Sequence, residues 1–292
     1  KISEGCDRPC SFCAIPLMRG KHVSKPMEQL VNEAKALVRD GIKEIMLIAQ
    51  DSTFYGIDLY GERKLAELMD RLSDVEGLDW IRLHYAYPSK FPFDVLPIIN
   101  SKPNICKYLD IPIQHISDNV LKSMRRGITK RRTEEVLDRI RSEVDNIALR
   151  TTLLVGHPGE YDQDFYELKD FVNRYQFNRL GVFTYSHEDG THAGKLEDHV
   201  SQEIKSARAD EIMGIQHDIS FAHNQKLIGS TQKVIIDRIE GDSYIGRTQF
   251  DSPEVDNEVI ISLNEGYLRI GDFTNATITG AESFDLIAKL NK

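Results

Sequence analysis

The chain has 292 residues, 40% of them hydrophobic and 28% charged, which suits one large globular domain with a small companion and excludes general disorder. No run approaches the roughly eighteen apolar residues of a membrane span and no charged-then-apolar leader opens the sequence, so a cytoplasmic protein is expected. A formal charge of −9 argues against tight non-specific binding to a phosphate backbone and suits a basic protein partner.

The sequence opens at Lys1 and reaches a cysteine motif at Cys6, so little strand precedes the motif and a fragment of a longer protein is expected. From there to about residue 186, apolar runs rich in Ile, Leu, Val and Tyr alternate with amphipathic segments. The runs are EIMLIAQD (44–51), WIRLHYAYP (80–88), YLDIPIQH (108–115), IALRTTLLVGHP (147–158) and RLGVFTYS (179–186). Helices are predicted over Pro26 to Asp40, Lys64 to Ser73, Arg132 to Val144 and Asp162 to Tyr175. In the first, Leu30, Ala34, Leu37 and Val38 share a face and Gly41 supplies the stop.

Strand and helix alternating at this spacing predict a parallel sheet with helices over its outer face. With a stub of strand before Cys6 there are about six units, too few to close an eight-unit barrel. The expected α/β fold is a partial (β/α)6 barrel with its site at the carboxyl ends of the strands. Gln50 and Asp51, Gln114 and His115, and Gly156 to Glu160 then meet at one mouth.

Residues 201–225 predict a linking helix with Ile204, Ala207, Ile212, Ile215, Ile219 and Ala222 on its apolar stripe, stopping near Gly229. Beyond it, short alternating segments broken by Gly, Asp and Asn predict a five-stranded OB-like β-barrel. The expected domains are therefore 1–225 and 226–292.

Cys6, Cys10 and Cys13 lie within eight positions, which is a metal-site pattern and not a disulfide framework. An iron-sulfur cubane usually takes four thiolates. Three leave one iron open, as a catalytic zinc keeps an open position for its reactant. A zinc knuckle would need a fourth ligand, and the nearest candidate, His22, lies beyond Pro16 and Gly20. Phe12, beside the third cysteine, is placed either to pack in the core or to lie along an adenine ring.

The three-cysteine spacing with an aromatic before the last cysteine resembles the radical S-adenosylmethionine (SAM) signature. EGCDRPCSFCAIPLMRG resembles the methylthiotransferase branch of that superfamily. Within it, IAQDSTFYGIDLYGE, RLHYAYP, NICKYLDIPIQHISDNVLKSMRRG, LRTTLLVGHPGE, RLGVFTYSHEDGT and FDSPEVDNEV resemble the RimO-type ribosomal-protein aspartate methylthiotransferases. The last 65 or so residues are similar to the TRAM domain of those proteins.

The resemblance implies a 4Fe-4S cluster on Cys6, Cys10 and Cys13 and SAM as cofactor. It also implies a second 4Fe-4S cluster on an N-terminal domain lacking here, an electron donor such as flavodoxin, and transfer of a methylthio group to an aspartate β-carbon of a small-subunit ribosomal protein, on or off the ribosome. Gln50, Asp51 and Ser52 match the place where the family's fold holds the methionine amino group, with a solvated turn as the alternative. Phe12, Gln114 and Gly156 are further candidate SAM contacts, and no side chain is expected to act as a catalytic base. His115 is at least as readily a satisfied structural histidine, and Val155, Gly156, Pro158 and Gly159 also suit plain turn chemistry.

Arg125, Arg126, Lys130, Arg131 and Arg132 read as a solvated helix end, with binding of an acidic group as the alternative, and Cys106 as a residue of a buried turn. A tRNA adenosine methylthiotransferase is the nearest alternative, and a non-catalytic metal-binding adaptor the alternative of another class. From Lys226 onward 7 basic residues face 11 acidic ones, a balance of −4 that favours a basic protein substrate recognised through the TRAM domain.

Overall fold

The computed structural model describes residues 1–291. Its first elements are β1 (Ser3–Glu4), α1 (Ile15–Arg19), β2 (Val23–Ser24), α2 (Met27–Arg39), β3 (Glu44–Leu47), α3 (Ile57–Tyr60), α4 (Leu65–Ser73) and β4 (Trp80–Leu83). There follow α5 (Val95–Ser101), β5 (Ile105–Asp110), α6 (Asp118–Ser123), α7 (Lys130–Glu143), β6 (Ala148–Val155), α8 (Asp162–Tyr175), β7 (Arg179–Thr184) and α9 (Gln202–Gln225). The last five strands are β8 (Thr231–Glu240), β9 (Ser243–Thr248), β10 (Glu258–Ser262), β11 (Phe273–Ala281) and β12 (Asp285–Leu290).

Strands β3 to β7 form a five-stranded parallel sheet in sequence order. In register, Leu47, Leu83, Leu109 and Leu149 sit side by side and bury one face against the helices. On α2 the residues Met27, Leu30 and Ala34 form the buried stripe. The stub before Cys6 joins this sheet less fully than a sixth unit would. β1 pairs antiparallel with β2, and Ile2 N donates to Ile48 O at 3.0 Å, just after β3.

Four short helices, α1, α3, α5 and α6, have no clear periodic signal. Pro97 sits in the first turn of α5, where its missing N–H costs no helical bond. Ser117 precedes α6 but gives its hydroxyl to Asp164 instead of capping its own helix. The strand expected over 108–115 begins and ends earlier, at Ile105 and Asp110. Cys106 is therefore buried inside a strand and not in a turn.

α9 has the predicted span but not the predicted stripe. Ile204, Ala207 and Ala222 face solvent, while Lys205, Arg208, Gln216, Ser220 and Asn224 join Ile212 and Ile219 on the buried face. The reason is that α9 packs on polar strand ends. Arg208 reaches Glu160 at 2.7 Å, Gln216 donates to Phe177 O, and Asn224 donates to Glu282 O in the following barrel.

β8 to β12 close into a barrel of order β10-β12-β11-β8-β9 around Val234, Ile236, Tyr244, Val259, Ile261 and Ile278. It packs against the non-helical face of the parallel sheet. Trp80, Cys106, Tyr108 and Ala148 meet Ile235, Phe250 and Phe273 there. Ion pairs ring this apolar contact: Arg82 with Glu44, Arg247 with Glu44, Arg150 with Asp256, and Arg179 with Asp251. Among the described residues no helix is long and apolar enough to cross a membrane.

Candidate functional site

Cys6, Cys10 and Cys13 line one cleft of about 570 Å³ together with Arg8, Pro9, Arg125 and His192. The loop is held from three sides. Cys6 N donates to Gly20 O, Ser11 N donates to Met124 O at 2.9 Å, and Ala193 N donates to Ser11 O at 2.7 Å. Gly5 makes the first of these approaches possible. Its φ is +73°, and a Cβ there would lie 2.0 Å from Lys21 O.

The sulfurs are met by cationic and N–H groups. Arg8 N points at Cys6 Sγ (3.4 Å), Arg126 Nη1 at Cys10 Sγ (3.3 Å), and the Tyr87 hydroxyl lies 3.5 Å from Cys10 Sγ. The guanidinium carbons of Arg8 and Arg126 stand 4.1 and 4.2 Å from the centre of the Tyr87 ring. Burial pushes the Cys6 thiol up to about 11 and raises Cys13 as well. Without a positive partner these thiols stay protonated near neutral pH; a bound metal centre would supply that partner.

Arg126 was expected to be a solvated helix end, and the structure corrects this. It is only 4% exposed, donates to Pro112 O and to Cys10, and so belongs to the cysteine loop. Tyr87 was likewise passed over, although it stands in the YAYP segment; nothing local marks it, because its partners, Arg8 and Cys10 on the cysteine loop and Arg126 after α6, are far from it in sequence.

Among the described residues no three His, Cys, Asp or Glu side chains gather around one ion position. Three cysteine sulfurs lining one cleft are a donor set of the kind that would hold an iron-sulfur cubane, one thiolate to an iron. His22, the fourth ligand that zinc would need, bonds Ser24 Oγ through Nε2 and packs edge-on to Phe54.

The other candidate residues are not among those that line this cleft, and their commitments differ. Asp51 accepts from Arg8 Nε at 2.6 Å and caps its own turn by accepting from Thr53 N and Oγ1, so it anchors the cysteine loop. Ser52 donates its hydroxyl to His84 O. Gln50 Oε1 and Arg8 Nη2 are buried without a hydrogen-bond partner among the described residues. Phe12 packs on Val120, Met124, Leu154, Tyr185 and Ala193, with its edge to His157. Gln114 has φ +72° and bridges to Leu153, its amide N donating to Thr152 O. Gly156 also has positive φ, and the space a Cβ would take is filled by Lys205 Cγ at 2.2 Å.

Behind that rim lies a buried polar group. Glu160 accepts from Gly156 N (2.6 Å), His157 N and Arg208, while burial raises its carboxyl. His115 is fully buried and lowered to about 3, so its ring is neutral, with Nδ1 accepting from Ser117 N. Its Nε2 is buried without a hydrogen-bond partner among the described residues, so it is not the fully satisfied histidine expected from the sequence.

The Radical SAM superfamily matches residues 1–172 and the TRAM domain residues 228–290. The chain is 57% identical to the ribosomal protein uS12 methylthiotransferase RimO of Flavobacterium johnsoniae, over 98% of this chain and 65% of that protein. It is also 57% identical to that of Cytophaga hutchinsonii over the whole chain and 67% of that protein, so it spans about two thirds of such relatives. Among solved structures, coproporphyrinogen III oxidase from Escherichia coli matches 84% of this chain and 64% of its own, with a TM-score of 0.56 at 14% identity. The methyltransferase TsrM from Kitasatospora setae matches 66% of this chain and 37% of its own, with a TM-score of 0.55 at 18% identity. Those two similarities establish a common fold. The chain belongs to the radical SAM superfamily and, within it, to the family of the RimO methylthiotransferases, with a TRAM domain at its carboxyl side.

Proposed function

We propose that this chain is the catalytic core of a radical SAM methylthiotransferase acting on the β-carbon of an aspartate in ribosomal protein uS12. The observation that carries the reading is the convergence of Cys6, Cys10 and Cys13 on one cleft beside Arg8, Tyr87 and Arg126. The three cysteines would hold a 4Fe-4S cluster with one iron left for SAM. Bound there, cluster and SAM supply one-electron chemistry that takes a carbon-bound hydrogen, which no side-chain base removes near neutral pH.

The chain's own residues bind and orient. N–H groups of Arg8 and Arg126 offset the negative charge on the thiolates. Gln50 Oε1 and Arg8 Nη2 offer an acceptor and a donor to the amino and carboxylate groups of SAM. Asp51 sets the position of Arg8, Ser52 sets the loop after β4 through His84 O, and Phe12, Gln114 and Gly156 shape the adenine side.

In this reading the second cluster and the sulfur come from residues outside this chain, and an electron donor such as flavodoxin serves the first cluster. Residues 226–292 recognise the basic substrate, on or off the ribosome, in the cytoplasm, while 1–225 carry the chemistry. Anaerobically reconstituted and reduced protein should form deoxyadenosine from SAM, and Cys10→Ala should abolish it. It should leave uS12 unmodified when it is the only enzyme present. Deoxyadenosine made equally by Cys10→Ala would refute the assignment, and modification of tRNA but not uS12 by the longer enzyme would move the substrate to tRNA.

A further inference from the structure

Beside the cysteine cleft lies a second, larger groove of about 1140 Å³. Its floor is apolar, with Phe91, Phe93 and Leu121, and its rim carries Arg63, Lys90, Lys122, Arg125 and Arg132. Only one carboxylate, Asp118, lines it, and that group accepts from Lys130 N at 2.6 Å. Arg132 pairs with Glu135, whereas Arg63, Lys90, Lys122 and Arg125 have no carboxylate partner among the described residues. On a chain with a net charge of −9 this is a local reversal of sign.

The groove adjoins the cysteine loop directly. Pro9 and Arg125 line both cavities, and each stands next in sequence to a residue at the sulfur: Pro9 to Cys10, and Arg125 to Arg126. A partner seated in the groove therefore comes against the outer side of the loop that holds Cys10. A cationic rim draws and orients an acidic protein surface. The apolar floor excludes water where that partner's redox group presses in.

We propose that this groove is the docking surface of a small acidic electron-carrier protein of the flavoprotein type, an inference that rests on the radical SAM reading above. The carrier would be oxidised by one electron and the iron group on Cys6, Cys10 and Cys13 reduced by that electron, with no bond made or broken. An RNA backbone would also be drawn by the cations, but it has no use for the apolar floor or for adjacency to Cys10.

The test uses flavodoxin as the acidic carrier and the double variant Lys90→Glu, Lys122→Glu. Binding of oxidised flavodoxin, followed by calorimetry, should weaken at least about tenfold in the variant, and wild-type binding should weaken with added salt. Flavodoxin-driven deoxyadenosine formation should fall by a similar factor, while formation driven by dithionite stays within about twofold. Unchanged affinity, equal loss with both reductants, or loss of RNA binding with flavodoxin binding intact would each overturn the docking surface. Absence of deoxyadenosine from wild type with dithionite would instead overturn the radical SAM reading, and the inference with it.

Discussion

The guanidinium of Arg126 is out of water, and its bond to Cys10 Sγ places a fixed positive charge against a sulfur that would carry negative charge. Removing it should favour the oxidised cluster. Arg126→Leu is expected to lower the midpoint potential by about 60 mV, near a tenfold change in a one-electron equilibrium. A redox titration followed by electron paramagnetic resonance measures this, and an unchanged potential would contradict the assigned role. His115 offers a test at the same scale. Burial lowers it to about 3, so the folded state holds it neutral while the unfolded chain protonates it below about 6.5. Its contribution is present above that pH and is lost as pH falls, by about 1.4 kcal/mol per unit. His115→Gln keeps an acceptor for Ser117 N and should flatten the decline in thermal stability between pH 7 and 5; an identical decline would show that another group is responsible. Of these residues, the gathering of the three cysteines in one cleft was legible from spacing alone. Arg126 was not, because its charge run looks like a solvated helix end until the fold brings Cys10 and Tyr87 to it.

At the scale of elements, the turn after β6 and helix α9 are fitted to one another. Gly156 needs its left-handed φ, and the Lys205 stem occupies the place of its missing Cβ. Gly156→Ala should therefore destabilise by about 1–3 kcal/mol, the cost of backbone strain together with a clash. Adding Lys205→Ala should recover the clash but not the strain, so denaturant unfolding of the double variant should fall between the two limits; strict additivity would show that the two residues do not touch. The glycine itself was readable as turn chemistry, but the partner was not. Helical periodicity placed Ile204 and Ala207 on the buried side of α9. The polar side chains of Lys205 and Arg208 win that face because Asp198 and Glu160 pair with them there.

For the molecule as a whole, the barrel is joined to the parallel sheet by buried charge. Asp251 takes Arg179 Nε at 2.8 Å and Asp256 takes Tyr108 Oη at 2.7 Å, so these carboxylates are spent inward and do not face a partner. The negative balance read from the sequence of this segment thus overstates the charge it shows to solvent. Asp251→Ala leaves Arg179 buried and unpaired and should cost about 3–5 kcal/mol, whereas Arg179→Met with Asp251→Leu should recover most of it. Unfolding curves of the three proteins decide, and equal loss in the single and double variants would mean that the pair has no coupling. The residues by themselves determined the alternation of strand and helix, the change of texture beyond the long helix, and the grouping of three cysteines, because hydrophobic period, turn chemistry and spacing are local properties. The tertiary structure decided which polar side chains are buried: Arg126 at Cys10, Arg208 at Glu160 and Asp251 at Arg179. Burying a charge is favourable only opposite its partner, and those partners lie 116, 48 and 72 residues apart.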